Sequence, residues 1–96
     1  MNRVELTNLF DIYESLLTER EKEIFKYYYF EDLSLSEIGE NLNITRTGVF
    51  NTLKKVEEKL SQYEESLKLM GIKNTLKNLL NIEDINIIKN KIKKII

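Results

Sequence analysis

Residues 33–60, LSLSEIGENLNITRTGVFNTLKKVEEKL, decide the fold, because their pattern predicts two helices joined by a sharp turn. Ser34 and Glu37 have the S-x-x-E spacing of a capping box, in which the two side chains satisfy exposed backbone N–H groups at a helix start. Asn43 is one of the few residue types that adopt a left-handed conformation at low cost, so it can end this short helix. Thr45 then supplies the N-cap of a longer helix. The stretch therefore predicts a helix-turn-helix.

Gly39 lies where the two helices of the motif are expected to cross. A residue without a side chain lets two backbone segments approach closely. We expect Ile44, Val49 and Leu53 to fill the wedge between the two helices.

The composition limits both the architecture and the chemistry. The 96 residues have room for one small domain, and the hydrophobic content of 42% fits a folded helical chain. Cysteine and histidine are absent, which removes thiolate chemistry, the commonest general base and the commonest transition-metal ligand. Paired acids such as Glu57-Glu58 diverge on a helix, and the sequence contains neither a phosphate-binding glycine loop nor a nucleophile–base set. We predict no catalytic residues, no metal, no cofactor and no small-molecule substrate.

No apolar run approaches the roughly 18 residues that a membrane-spanning helix needs. The N-terminal residues also lack the apolar core of a signal peptide. We therefore expect a cytoplasmic protein.

Two amphipathic helices are predicted before the motif. Hydrophobic residues at three- and four-residue steps indicate a first helix over residues 3–16, with Leu16 on its buried face. Thr18 and Glu21 form a second capping box, which starts a helix that runs to about Phe30.

The second helix contains the consecutive residues Tyr27, Tyr28 and Tyr29, which cannot all face the interior. At least one ring should therefore be largely exposed or contact a partner. One interpretation is that the rings stack on a base or fill a protein groove. The other is that they pack at the edge of the domain, and we favour this packing.

After Thr45 the apolar residues alternate steps of four and three, as in a heptad repeat. They are Val49, Leu53, Val56, Leu60, Tyr63, Leu67 and Met70. We expect the stripe from Leu60 onward to extend past what the first three helices can cover, and Gly71 to end the helix. The residues predicted to contribute to a dimer interface are Leu60, Tyr63, Leu67 and Ile88.

The chain is predicted to divide into residues 1–70, a helix-turn-helix domain with a long fourth helix, and residues 71–96, a basic amphipathic helical tail. The first part carries nine Lys or Arg and fourteen Asp or Glu, net −5, and the tail carries six Lys and two acids, net +4. A protein that holds DNA through phosphates usually shows a basic face, so the acidic body weakens a DNA-binding interpretation.

The tail has isoleucines and leucines at helical spacing, with a break expected at residues 81–83. It could lie on anionic lipid or nucleic acid, or it could pack on the long helix or a second subunit. We favour packing, because the acidic body offers the tail lysines an internal counterpart. We therefore expect no membrane contact.

In a helix-turn-helix, the first turns of the second helix meet the base edges. The candidate nucleic-acid-binding residues there are Arg46, Thr47, Phe50, Asn51, Lys54 and Lys55. Arg46 can contact a phosphate or a guanine, Asn51 can pair with an adenine edge, and the two lysines can hold backbone phosphates. Phe50 can meet a thymine methyl group, whereas Gly48 offers no contact. The set as a whole favours nucleic-acid binding more than any single member does.

Three features make the sequence resemble a known family over about residues 3–70. They are the tyrosine-rich helix with an acidic pair and S-L-S-E-I after it, the Ile44-Thr45-Arg46 entry to the second motif helix, and the extension KKVEEKLSQYEESL. The chain resembles the YlxM family of small bacterial helix-turn-helix proteins, which are themselves similar to region 4 of sigma factors.

This resemblance implies an all-helical, dimeric protein that is associated with the signal recognition particle pathway and has a regulatory role. It would carry sigma-like DNA contacts over to Arg46, Thr47, Phe50 and Asn51. The sequence departs from the sigma pattern at Gly48 and at Phe50, where sigma-like helices tend to have polar or basic groups.

We predict an all-α fold: a small helical bundle with a helix-turn-helix, an extended recognition helix and a helical C-terminal tail. The predicted function is that of a nucleic-acid-binding regulator or accessory factor of the signal recognition particle pathway. Its partners would be DNA, or the RNA or protein of the particle, and a second copy of the chain in a homodimer. The alternative is a protein-docking or dimerisation module that does not bind nucleic acid.

Overall fold

The computed structural model describes all residues, 1–96, and contains six α-helices and no strand. The helices are α1 (Arg3–Tyr13), α2 (Glu19–Tyr29), α3 (Leu35–Leu42), α4 (Arg46–Leu67), α5 (Leu69–Leu79) and α6 (Ile85–Ile95). The prediction of an all-α protein is confirmed. No helix is both long enough and apolar enough to span a membrane.

Both capping boxes are present at the predicted helix starts. At α2, the Thr18 hydroxyl accepts a hydrogen bond from the Glu21 backbone N–H, and the Glu21 carboxylate accepts one from the Thr18 N–H. Ser34 and Glu37 form the same pair of bonds at α3. These bonds satisfy N–H groups that have no partner inside the helix, which explains why the chain becomes helical at these two positions.

The turn between α3 and α4 also has the predicted conformation. Asn43 ends α3 with φ 56°, in the left-handed region. The Thr45 hydroxyl then accepts a hydrogen bond of 2.9 Å from the Gly48 N–H and caps α4. This turn sets the direction in which α4 leaves the motif.

The close approach of backbones expected at Gly39 is confirmed, and it involves the turn and the first residue of α4. A Cβ atom at this position would lie 2.8 Å from the carbonyl oxygen of Ile44. The Ile44 N–H in turn donates to the Gly39 carbonyl. The predicted wedge is confirmed for Val49 and Leu53, which are buried, but it is wrong for Ile44, whose side chain is exposed because it belongs to the turn.

Two clusters of buried side chains form the interior. The smaller one lies inside the motif and consists of Ile24, Ile38, Val49 and Leu53. The larger one joins α1 to α2 and to the middle of α4, and consists of Leu6, Leu9, Phe10, Tyr13, Leu17, Phe25, Val56 and Leu60. Because α4 contributes to both, it is the element on which the other helices pack.

An ion pair between a buried carboxylate and a partly exposed lysine joins α2 to α4. The Glu21 carboxylate is almost fully buried, and the Lys59 ammonium lies 2.8 Å from its Oε2. Burial alone would raise the pKa of Glu21, but hydrogen bonds from Lys59 and Thr18 outweigh this effect and keep the pKa below its usual value. Glu21 therefore both caps its own helix and links that helix to α4.

The helix α4 ends at Leu67 rather than at Gly71, so the predicted stop is wrong. Lys68 adopts a left-handed conformation with φ 55°, and Gly71 lies inside α5. The carboxylate of Glu64 accepts hydrogen bonds from the backbone N–H groups of Met70 and Gly71. These bonds satisfy exposed N–H groups at the start of α5, so a side chain from the previous helix fixes the break.

Two further expectations about apolar residues are wrong. The chain tightens into a 3-10 turn at Glu14–Leu16, and this leaves Leu16 49% exposed instead of buried. Leu60 is fully buried within the larger cluster, so the first helices cover the stripe farther than expected.

None of the three consecutive tyrosines is largely exposed. Tyr27, Tyr28 and Tyr29 are all half-buried and pack against the smaller cluster, so the favoured packing interpretation is confirmed.

The tail packs only in part. The predicted break at residues 81–83 is confirmed, and α5 packs on α1 and α4, with Leu79 buried. The expectation that the isoleucines of α6 pack on the long helix is wrong, because α6 has no buried residue. The radius of gyration is 17.4 Å, against about 12.5 Å for a compact chain of this length, so the molecule is elongated.

Candidate nucleic-acid interface

The six predicted contact residues all lie on the exposed face of α4. They are Arg46, Thr47, Phe50, Asn51, Lys54 and Lys55. Successive helical residues are about 100° apart around the axis, which places these six on one arc of about 180°. The buried residues Val49, Leu53 and Val56 occupy the other side. The structure therefore brings the predicted set together on one continuous surface.

Buried side chains and a capped turn position this surface. Val49 and Leu53 anchor the first turns of α4 in the motif cluster, and Val56 and Leu60 anchor the next turns in the larger cluster. The capped turn at Thr45 fixes where the helix begins. Side chains on a helix anchored in this way keep a defined spacing, which recognition of a regular polymer requires.

The surface is locally basic although the body is acidic. Residues 41–56 contain Arg46, Lys54 and Lys55 and no aspartate or glutamate. None of these three forms an ion pair within the protein, whereas Lys59, one turn further on, is held by Glu21. The net charge of −5 over residues 1–70 therefore does not apply to this segment, which has three free cations. The local charge is the one that a phosphate at this helix would meet.

An aromatic groove adjoins the arc and was not predicted. It has a volume of about 330 Å³ and is lined by Tyr28, Tyr29, Leu35, Phe50, Leu53, Lys54 and Glu57. The Tyr29 hydroxyl donates a hydrogen bond of 2.6 Å to the Glu57 carboxylate, which ties α2 to α4 at the groove wall. The run of tyrosines was the available sequence signal, but it does not show which rings approach Phe50.

The largest surface depression lies elsewhere. It has a volume of about 660 Å³, and its lining, mainly from α2, is almost entirely charged, with both signs present. None of the predicted contact residues lines it. No group of three or more His, Cys, Asp or Glu side chains lies close enough together to hold a metal ion.

The residues predicted for a dimer interface have different surroundings. Leu60 is fully buried, so its side chain is not available to a second chain. Tyr63 is half-buried, with its hydroxyl 3.3 Å from the Leu16 carbonyl oxygen. Leu67 is half-exposed, and a depression of about 410 Å³ links it to Ile95 of α6. Ile88 lies in α6 and is half-buried. Of the predicted stripe on α4, only the end is thus free on the surface.

Comparison with known proteins gives one consistent family. The model of the UPF0122 family, described as "Putative helix-turn-helix protein, YlxM / p13 like", matches residues 1–96. A UPF0122 protein from Caldanaerobacter subterraneus is 49% identical over 65 residues, which is 68% of this chain and 56% of the relative.

Two further relatives are matched over more of their length. A UPF0122 protein from Shouchella clausii is 38% identical over 77 residues, 80% of this chain and 71% of the relative. One from Mycoplasma capricolum is 40% identical over 88 residues, 92% of this chain and 78% of the relative. The alignment thus spans little more than half of the Caldanaerobacter protein but most of the Mycoplasma one.

Proposed function

This chain belongs to the UPF0122 family of helix-turn-helix proteins, and we propose that it binds nucleic acid through the exposed face of α4. The observation that carries the proposal is the arc on which Arg46, Lys54 and Lys55 lie exposed and free of internal ion pairs. The resemblance to YlxM proteins supports a regulatory or accessory role in the signal recognition particle pathway.

The three cations fit a binding mode that rests mainly on phosphates. Each phosphate that a lysine or arginine neutralises releases condensed counterions, so affinity falls with salt. Three such contacts give a slope of about −2.7 for log affinity against log salt on duplex DNA. Arg46 or Asn51 would add base discrimination if either reaches a base edge, worth about 1–3 kcal/mol for a bidentate contact.

The test is the double substitution Arg46→Ala with Lys55→Ala. Removing two phosphate contacts should weaken binding and make the salt slope shallower by about 1.8 on duplex DNA. The matched control is Lys89→Ala with Lys93→Ala in α6, which changes the net charge equally on a different element. Equal losses in the two variants would overturn the assignment to α4, as would unchanged binding in the first variant.

A second copy of the chain is the protein partner that the surface favours. The accessible area is 6,832 Å², against about 5,800 Å² for a typical monomer of 11.4 kDa. The excess of about 1,000 Å² follows from the elongated shape and from α6, which has no buried residue. It leaves enough surface for the roughly 800 Å² that each partner contributes to a standard interface. Exposed leucines mark its apolar part, namely Leu67, Leu69, Leu76 and Leu80. We propose a homodimer through the end of α4 and the tail, to which Tyr63, Leu67 and Ile88 contribute.

Light scattering at micromolar concentration tests the dimer. The expected mass is twice the 11.4 kDa of one chain, and Leu67→Asp should shift it towards one chain mass. A mass of 11.4 kDa for the unmodified protein would refute the dimer and leave the nucleic-acid proposal standing.

A further inference from the structure

The groove beside Phe50 combines aromatic walls with a charged rim. Tyr28 and Phe50 contribute rings from α2 and α4, and Leu53 forms the buried floor. Lys54 and Glu57 provide the polar groups. Its volume of about 330 Å³ is at the lower end of the range for small-ligand sites, roughly 300–1,000 Å³.

Phe50 is available for stacking in a way that the other phenylalanines are not. Phe10, Phe25 and Phe30 all form ring pairs with one another, with centroids 4.3–6.1 Å apart. Phe50 has no ring partner and is 52% exposed. An exposed ring with a free face gains most from a planar partner, and every nucleobase has such a face.

Tyr29 acts as a fixed wall of the groove. The Phe25 ring lies 4.5 Å from the Tyr29 ring, and the Arg3 guanidinium lies 5.5 Å from its centroid. Burial, with the hydrogen bond to Glu57, raises the pKa of the Tyr29 hydroxyl above its ordinary value, so the hydroxyl stays protonated even in alkaline solution. Glu57 uses Oε1 for this bond, so its Oε2 is left to accept from an exocyclic amino group.

The charge around the groove favours a nucleotide over an apolar side chain of a protein. Lys54 lines the groove and has no ion pair, and Arg46 lies two turns before it on the same arc. A base stacked on Phe50 would bring its phosphate towards these cations. In a duplex, both faces of each base are covered by its neighbours and only the edges are accessible. A base can therefore enter this groove only from a single strand, a loop or a bulge.

We propose that the groove binds one unstacked nucleobase of a single-stranded nucleic acid, with Phe50 stacking on the ring and Lys54 contacting the phosphate. This inference rests on the proposed function of α4 and specifies its ligand. The ligand group is a base with an adjoining phosphate, and both RNA and single-stranded DNA contain it.

The first experiment uses Phe50→Trp in the full chain. The protein has no tryptophan, so this substitution introduces a single reporter that preserves an aromatic face. The titrants are mixed-sequence RNA, single-stranded DNA and duplex DNA of about 12 nucleotides, within the site sizes of single-strand-binding proteins. Single strands should quench the tryptophan emission saturably, and more strongly than duplex DNA. Stronger quenching by RNA than by single-stranded DNA would identify RNA as the preferred source of the bound base.

The second experiment removes the ring from the otherwise unmodified protein. Phe50→Ala and Phe50→Leu should weaken single-strand binding by about 5- to 150-fold, because leucine keeps apolar volume but cannot stack. The matched control is Phe30→Ala, since Phe30 is 50% exposed and does not line the groove. This control should bind as the unmodified protein does. Thermal unfolding of each variant separates a binding loss from a loss of fold.

The outcomes separate this inference from the proposed function. If duplex DNA binds as tightly as single strands and Phe50→Leu has no effect, the groove does not bind a base. A loss of affinity in the Arg46 and Lys55 variant would in that case still support nucleic-acid binding through α4. If no nucleic acid binds at all, both proposals fall. Retained affinity in Phe50→Leu with a loss in Phe50→Ala would also overturn stacking, because apolar volume alone would then suffice.

Discussion

Replacing Gly39 by alanine should destabilise the protein, whereas the same substitution at Gly71 should stabilise it. Both glycines lie inside helices, in α3 and α5. Alanine is favoured over glycine in a helix by up to about 1 kcal/mol. Propensity alone therefore predicts the same stabilisation at the two sites.

The surroundings separate the two positions. A Cβ atom at Gly39 would lie 2.8 Å from the backbone oxygen of Ile44, a contact that the turn can relieve only by moving. Overpacking of this kind costs about 1–3 kcal/mol, and backbone cannot rotate away as a side chain can, so the upper part of this range applies. After the helix gain is subtracted, Gly39→Ala should lose about 1–2 kcal/mol. At Gly71 the nearest atom is 3.8 Å away, so the gain of up to about 1 kcal/mol should remain.

Urea unfolding followed by circular dichroism measures both variants. The expected difference in the free energy of unfolding is about 2–3 kcal/mol, with opposite signs for the two substitutions. Because the clash would displace the turn before α4, Gly39→Ala should also weaken nucleic-acid binding. Equal stabilisation by both substitutions would show that the turn does not lie against Gly39.

Two other side-chain networks give predictions of the same kind. Lys59→Met should lower the free energy of unfolding by about 2–3 kcal/mol at neutral pH, because it leaves the Glu21 carboxylate buried without its cation. Acidification protonates this carboxylate, so the urea midpoint of the variant should then recover in part. A loss of stability that does not depend on pH would contradict this explanation. In the unmodified protein the pKa values of Glu21 and Glu64 are lowered in the folded state, so their stabilisation is complete well above the reference value of 4.5 and is lost as the pH falls below it. Tyr13→Phe removes a hydroxyl that donates to Glu64 and accepts from the Leu69 N–H. It should lower the free energy of unfolding by about 1–2 kcal/mol and accelerate amide hydrogen exchange at the start of α5. Unchanged exchange at these amides would contradict the capping role of Glu64.

Local signals in the sequence predicted the motif well, because the bonds involved join residues close in the chain. Both capping boxes span three residues, and so does the bond from Gly48 to Thr45. Asn43 has the left-handed conformation that its residue type allows. When a group and its hydrogen-bond partner are three residues apart, both can be recognised within one short stretch of sequence.

The failures involve partners that are distant in sequence. Gly71 was expected to end α4, but Lys68 adopts the left-handed conformation instead. The Tyr13 hydroxyl, 51 residues before Glu64, donates to the carboxylate that caps α5. This arrangement stabilises a break in the helix before Gly71. The spacing of apolar residues in α4 gives no sign of such a break. Tertiary contacts here outweigh the local preference for glycine at a helix end.

The candidate site also combines features that the local sequence predicts with features that depend on distant residues. The six residues of the arc follow from the position of the turn at Thr45 and from helical periodicity alone. The groove beside Phe50 does not, because it forms only when α2 places Tyr28 opposite α4. The local positive charge of residues 41–56 is evident from the sequence alone, although the body as a whole is acidic.

Titration of two labelled nucleic acids with the protein tests binding through α4 most directly. The two probes are random duplex DNA and signal recognition particle RNA, each at about 50 mM and about 150 mM salt. We expect saturable binding to at least one probe, weakening steeply between the two salt concentrations, with the preferred probe deciding between a DNA-binding regulator and a particle accessory factor. No binding to either probe at the lower salt would contradict the proposal, and would leave the helix-turn-helix as a scaffold for docking proteins.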